Sequence, residues 1–236
     1  MLVREGEART RQIDERLGWS FAAIAGALNA AGFCAFGLFS SNMTGNVSAL
    51  ADHLGLAEGA LAMQALALVA AFAGGALVAT LLIEAGRRRR LPGIYAYGVL
   101  AEAVLLAGLG LLDPWLAPLA RGLVLSLGLS FLLGLQNATV TQITDARVRT
   151  THVTGMVTDL GIGLGHRLTS LLDGRPRPDQ GRLRLHAGTV AAFLLGGIAG
   201  VLGYRALGGF LLVGAAGLLA VLAIPGISTA RRLQPF

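Results

Sequence analysis

Six runs of about 18 to 24 residues, nearly free of charge, most constrain what this chain can fold into. A helix needs about 20 mostly apolar residues to cross a bilayer. Residues 19–39, 60–83, 122–141, 187–204 and 206–224 carry no charged side chain, and 93–112 carries one, Glu102. Backbone polar groups at hydrocarbon depth must be satisfied within the protein, so each run predicts a spanning helix. Only 14% of residues are charged, where a soluble domain carries about a quarter. Mean hydropathy is +0.67. These values argue against a soluble enzyme and exclude a disordered chain. Cys34 is the single cysteine, which removes a disulfide scaffold. The first run is expected to be an uncleaved helix: it is longer than a signal h-region, and its leader mixes arginines with Glu5, Glu7, Asp14 and Glu15.

The net charge is +6, and all 19 basic residues are arginines. In a soluble protein that excess would point to nucleic acid; in a membrane chain it marks the cytoplasmic loops. With the amino terminus inside and six spans threaded, 17 arginines fall in the inner segments 1–18, 84–92, 142–186 and 225–236. Only Arg121 and Arg205 fall outside. Both termini are therefore expected in the cytoplasm, with Arg87–Arg90 as a topology anchor rather than a nucleic-acid patch.

The chain also resembles itself. Gly26-Ala-Leu-Asn-Ala30 matches Gly134-Leu-Gln-Asn-Ala138 at an offset of 108, and Met43-Thr-Gly-Asn-Val47 matches Val153-Thr-Gly-Met-Val157 at 110. Val69–Phe72 matches Val190–Phe193 at 121, and Gly74-Gly75 is paired with Gly196-Gly197 at 122. Each half then holds three spans, an odd number, so the second copy must enter the membrane inverted. Inverted repeats recur in secondary transporters, with the substrate near the midplane at the repeat interface. The expected units are a cytoplasmic tail at 1–18, a first repeat at 19–112, a second at 113–225 and a cytoplasmic tail at 226–236.

The two Thr-Gly elements join spans one and two, and spans four and five. Each precedes a moderately apolar helical stretch, about 49–55 and 156–172. Asn42 or Thr44, and Thr154 in the second half, are candidate caps. The first N–H groups of such a helix are unpaired and carry partial positive charge. Two re-entrant helix starts facing one cavity would suit the anionic or carbonyl end of a small solute; the plainer reading is two surface helices with ordinary caps. The candidate solute-binding residues are Asn29, Asn42, Thr44, Gly45, Asn46, Asn137, Thr154, Gly155, Thr158 and Asp159. Asn29 and Asn137 also suit a structural role, because amides bond between membrane helices.

The Asn42–Asn46 run, the Arg149–Asp159 run (Arg-Thr-Thr-His-Val-Thr-Gly-Met-Val-Thr-Asp) and the Gly134–Ala138 run resemble the YoaK family, bacterial inner-membrane proteins of unknown function. The resemblance covers nearly the whole chain. It implies a bacterial inner-membrane location and supplies neither a substrate nor a catalytic residue.

Glu102 lies at the centre of the third span, where a carboxylate costs several kcal/mol unless paired, protonated or facing water. It is the proton-coupling candidate; otherwise it is a protonated acid bonded to a neighbouring helix. Its counterpart in the second half is Leu218. No histidine or cysteine grouping has metal-ligand spacing, and neither a nucleophile elbow nor a phosphate loop occurs. No enzyme activity, metal, cofactor or nucleic-acid partner is therefore expected. The Gly196, Gly200 and Gly203 stripe suits close packing within the chain or dimerisation. Six spans are few for enclosing a solute path, which leaves room for a homodimer. The leading expectation is an all-α, six-span transporter or channel for a small solute, with the lipid bilayer as its surroundings. The alternative is a non-transporting scaffold or regulatory subunit.

Overall fold

The computed structural model describes residues 1–173 and 180–232. Among these, every regular element is helical: α1 (Arg11–Phe36), α2 (Met43–Gly55), α3 (Gly59–Arg88), α4 (Ile94–Leu112), α5 (Pro118–Ile143), α6 (Val153–Asp173), α7 (Gln180–Leu207) and α8 (Phe210–Arg232), with short 3-10 turns at Gly6–Ala8 and Asp113–Trp115. Six of them are long and apolar enough to cross a membrane: α1, α3, α4 with the turn that follows it, α5 from Ala120, α7 and α8. Leucines on the outward faces of α3 and α7, such as Leu77, Leu81, Leu194 and Leu202, are exposed. Contiguous apolar exposure on this scale is what a lipid-facing surface requires. This is a multi-pass membrane protein.

The helices overrun the apolar segments that announce them. α1 starts at Arg11, because the Thr10 hydroxyl accepts from the Ile13 N–H at 3.4 Å and caps it there. It ends where Gly37 takes a left-handed φ of 71°, a conformation that costs a residue with a side chain dearly. α7 runs from Gln180 past Arg205 to Leu207, so residues 206–207 belong to it rather than to the last span. α8 continues through Pro225 to Arg232. The amino-terminal segment is not a loose tail. Leu2 is buried, and Glu5 accepts hydrogen bonds from Arg87 and from the Tyr95 hydroxyl. Of the expected inner segment 142–186, residues 174–179 lie outside the described residues, and 180–186 belong to α7.

Three helix pairings hold the bundle: α1 with α7, α3 with α5, and α4 with α8. The first two are built on glycine. A Cβ on Gly26 would strike the Phe193 carbonyl, and one on Gly196 or Gly200 would strike the carbonyls of Ala23 and Ala27. At the other crossing, a Cβ on Gly134 would strike the Phe72 carbonyl and one on Gly75 the Phe131 carbonyl. Backbones in lipid associate through this kind of close van der Waals packing, since burial of apolar surface contributes little there. The Gly196 and Gly200 stripe thus packs inside the chain. Contacts also pair Gly75, rather than Gly74, with Gly196 in register, so the 121-residue offset set by Val69–Phe72 continues unbroken.

Candidate functional site

Each connection before a Thr-Gly element folds back beside the span it leaves. The Ser41 N–H donates to Asn29 Oδ1 at 2.9 Å. The Thr150 and Thr151 hydroxyls donate to Asn137 Oδ1 at 3.2 and 3.0 Å. Asn29 and Asn137 stand six or seven residues before the ends of α1 and α5, which places these anchors roughly 10 Å back along the helices. From there α2 starts, with the Asn42 side chain accepting from the Gly45 N–H at 3.1 Å. α6 starts after His152, whose carbonyl accepts from the Met156 N–H at 3.1 Å. The N–H groups of Thr44, Thr154 and Gly155 have no backbone acceptor among the described residues.

Both helix starts line one cavity of about 930 Å³. From the first half it takes Asn29, Ser41, Asn42, Met43, Thr44 and Phe72; from the second, Asn137, Thr151, His152, Val153, Thr154 and Phe193. These fall into six pairs at the offsets of the internal matches. Thr141, Gln142 and Arg149 add polar groups from the second half alone, and among the described residues no carboxylate lines the space. Partial desolvation, and then the charge of Arg149, lower the His152 imidazole from its ordinary value, although the residue as a whole is exposed.

Residues 17–224 match the family model described as a protein of unknown function, DUF1275. The chain belongs to the DUF1275 family. No curated protein and no solved structure matches it.

In this DUF1275 chain the expected site residues divide. Asn29, Asn42, Thr44, Asn137, Thr154 and Gly155 line the cavity. Gly45 and Asn46 lie within the first turn of α2 but do not line it; the Asn46 amide is buried and donates to the Phe39 carbonyl at 3.3 Å. Thr158 is exposed and donates to the Thr154 carbonyl at 3.0 Å. Asp159 accepts from Arg182 at 3.1 Å and borders a second, arginine-rich pocket of about 720 Å³. Of the capping expectations, Asn42 holds for α2 and Thr154 needs correction for α6. Thr44 and Thr154 are second residues of their helices; the capping positions belong to Asn42 and His152. Both threonines nevertheless line the cavity. The sequence reading missed Phe72, Phe193, Gln142 and Arg149. The first two stand in the quoted repeat matches and were read only as markers of register.

Glu102 is away from the cavity. It is fully buried between α4 and α5, where Gln136 Nε2 donates to its Oε1 at 2.8 Å. Its Oε2 and the Gln136 Oε1 have no partner. The expectation that this acid faces the solute path is not met, because α5 closes over it. Leu218 keeps its register but not its surroundings. It is 59% exposed, since the matching face of α8 is uncovered.

Proposed function

We propose that the DUF1275 chain is a small-solute transporter or channel built from two inverted three-span repeats. One observation carries the reading: the starts of α2 and α6, one from each half, line a single cavity with polar walls. The reciprocal crossings support the inverted arrangement. Gly26 meets Phe193 as Gly134 meets Phe72, and Gly196 meets Ala23 as Gly75 meets Phe131. Likewise Gly110 against Leu212 mirrors Gly226 against Ala96 between the third spans. The arginine distribution supports a cytoplasmic position for both termini, and the YoaK resemblance supports a bacterial inner membrane. Glu102 is buried away from the cavity, so the reading does not rest on proton coupling through this carboxyl.

The fold-back positions the helix starts, and their unpaired N–H groups and threonine hydroxyls offer donors to a solute. Irregular backbone at this depth is tolerated where it lines a cavity. Filling the space tests the role. Ala138 lines the cavity, and Ala138→Trp is expected to reduce solute flux into proteoliposomes by more than about tenfold, equivalent to 1.4 kcal/mol, with the melting temperature retained. Full flux through the plugged protein rejects this cavity as the path. Absence of flux in the wild type across a broad solute panel moves the reading to a scaffold or regulatory subunit.

The orientation makes a separate prediction. α2 leads outward to Leu56 and α6 leads inward to Leu172, both well exposed. With Cys34 replaced by serine, a cysteine at position 56 is expected to react with impermeant maleimide in intact cells, and one at 172 only after lysis. Reaction of both from one face contradicts the inverted repeat. Ser41 and Thr151 are poor reporters, because both line the shared cavity and report whichever side it opens to.

A further inference from the structure

Resting on the transport reading, we propose that the solute is a small organic anion, and that Arg149 selects it. The charge distribution carries the argument. Among the described residues, Arg149 is the one permanently charged residue lining the cavity between the two helix starts, and no aspartate or glutamate lines it. Arg149 is exposed at the rim of this space, and its fixed charge favours the opposite charge there.

Arg149 also borders the second pocket, on the other side of the α6 start. That pocket holds two aspartates, and both are engaged by other arginines. Asp14 pairs with Arg9 at 2.6 Å and with Arg147 at 3.0 Å, and Asp159 with Arg182 at 3.1 Å. Arg149 has no carboxylate partner among the described residues, so its charge is available. It is the one arginine common to both spaces, so an anion arriving through the arginine-rich pocket meets it before the cavity.

The repeat adds an independent indication. At the 110-residue offset the counterpart of Arg149 is Phe39, which also lines the cavity and stacks on Phe33 with ring centroids 4.1 Å apart. Most other paired positions keep similar character, as with Asn29 and Asn137 or Thr44 and Thr154. Here the cavity lining carries a guanidinium from one half and an aromatic ring from the other. A molecule with a single anionic group on an uncharged, flat body fits both. The guanidinium supplies paired donors to a carboxylate or sulfonate, and the rings supply contact area for the body.

The test uses the full chain in detergent, with Cys34→Ser and a reporter Thr154→Cys. The reaction rate of the reporter with a neutral maleimide is measured against three probes of one shape: benzenesulfonate, benzenesulfonamide and benzyltrimethylammonium. Benzenesulfonate is expected to slow the reaction at concentrations where the other two do not. Arg149→Gln should raise the half-protecting concentration by about tenfold or more, the usual scale for losing a hydrogen bond to a charged group. Arg149→Lys should fall between, keeping the charge and losing the fork. A control cysteine at Leu164, exposed on α6, should be indifferent to all three. Equal protection by the three probes, no protection by benzenesulfonate, or protection unchanged in a folded Arg149→Gln protein overturns the inference. Proteoliposome flux separates the two readings. Selective protection without flux of any probe keeps the anion site and removes transport. Flux of the neutral probe with no sulfonate protection keeps transport and removes the anion site.

Discussion

Alanine at Gly75 is expected to lower the melting temperature of the detergent-solubilised protein, while alanine at its neighbour Gly74 leaves it unchanged or slightly higher. The two differ only in what a Cβ would meet. At Gly75 it would strike the Phe131 carbonyl of α5; at Gly74 it meets open space. Overlap with backbone cannot be relieved by a change of rotamer, so α3 and α5 would have to part. Overpacking of this kind costs about 1–3 kcal/mol, occasionally more. The second crossing repeats the contrast. A Cβ on Gly196 would strike the Ala23 carbonyl, whereas on Gly197 it would sit 3.6 Å from the Ala30 Cβ, an ordinary contact. Leucine at Gly26 or Gly134 should prevent recovery of folded protein altogether. Thermal unfolding of the four alanine variants decides the matter. Equal melting temperatures within each neighbouring pair would mean that the crossings are looser than their geometry states.

The second large effect is expected at Gln136. Gln136→Leu removes the donor that Glu102 holds at 2.8 Å in the sealed interface of α4 and α5. A buried polar group left without its partner costs about 1–3 kcal/mol, more when charged. Glu102→Gln keeps the shape and an acceptor, so it should be milder. The double change Glu102→Leu with Gln136→Leu should recover most of the loss, because removing both partners together leaves no orphan. Melting temperatures of the two singles and the double give the coupling. If the losses simply add, the pair contributes nothing as a pair. Flux in Glu102→Gln should keep its pH dependence, since this carboxyl does not line the cavity.

The spans were legible because hydrocarbon imposes a length and a chemistry that few sequences satisfy by accident. Their ends were less so. Residues 11–18 and 180–186 are charged enough to read as loops, yet helices continue into the headgroup region until a cap or a left-handed residue stops them, as Thr10 and Gly37 do for α1. Asn29 and Asn137 stand out through the repeat, but their hydrogen bonds go to Ser41 and to Thr150 and Thr151 in the adjoining loops, not between helices across the repeat interface. They hold their own halves together rather than bridging the two. Arg149 escaped notice for a physical reason. An arginine beside an inner span end is usually a topology signal, and only the fold-back anchored on Asn137 turns this one toward a cavity. Glu102 does sit at the centre of its span, and the hydrogen bond from Gln136 of α5 fits the alternative of an acid bonded to a neighbouring helix. The periodicity of α4 names the depth of a residue along the helix but not which neighbour covers it.

The exchange of partners between the halves has a consequence for how the chain is made. α1 packs on α7, and Trp19 donates a hydrogen bond to the Leu185 carbonyl across 166 residues of sequence. At a synthesis rate of about 5–20 residues per second, the glycine face of α1 waits roughly 8–33 s in the bilayer before its mate emerges. Through that interval the nascent first half presents Gly26 to lipid or to any insertion machinery that shields it. Biogenesis of this protein is therefore a problem of holding early helices unassembled. A half-length fragment, however well inserted, lacks the surfaces that would let it settle alone.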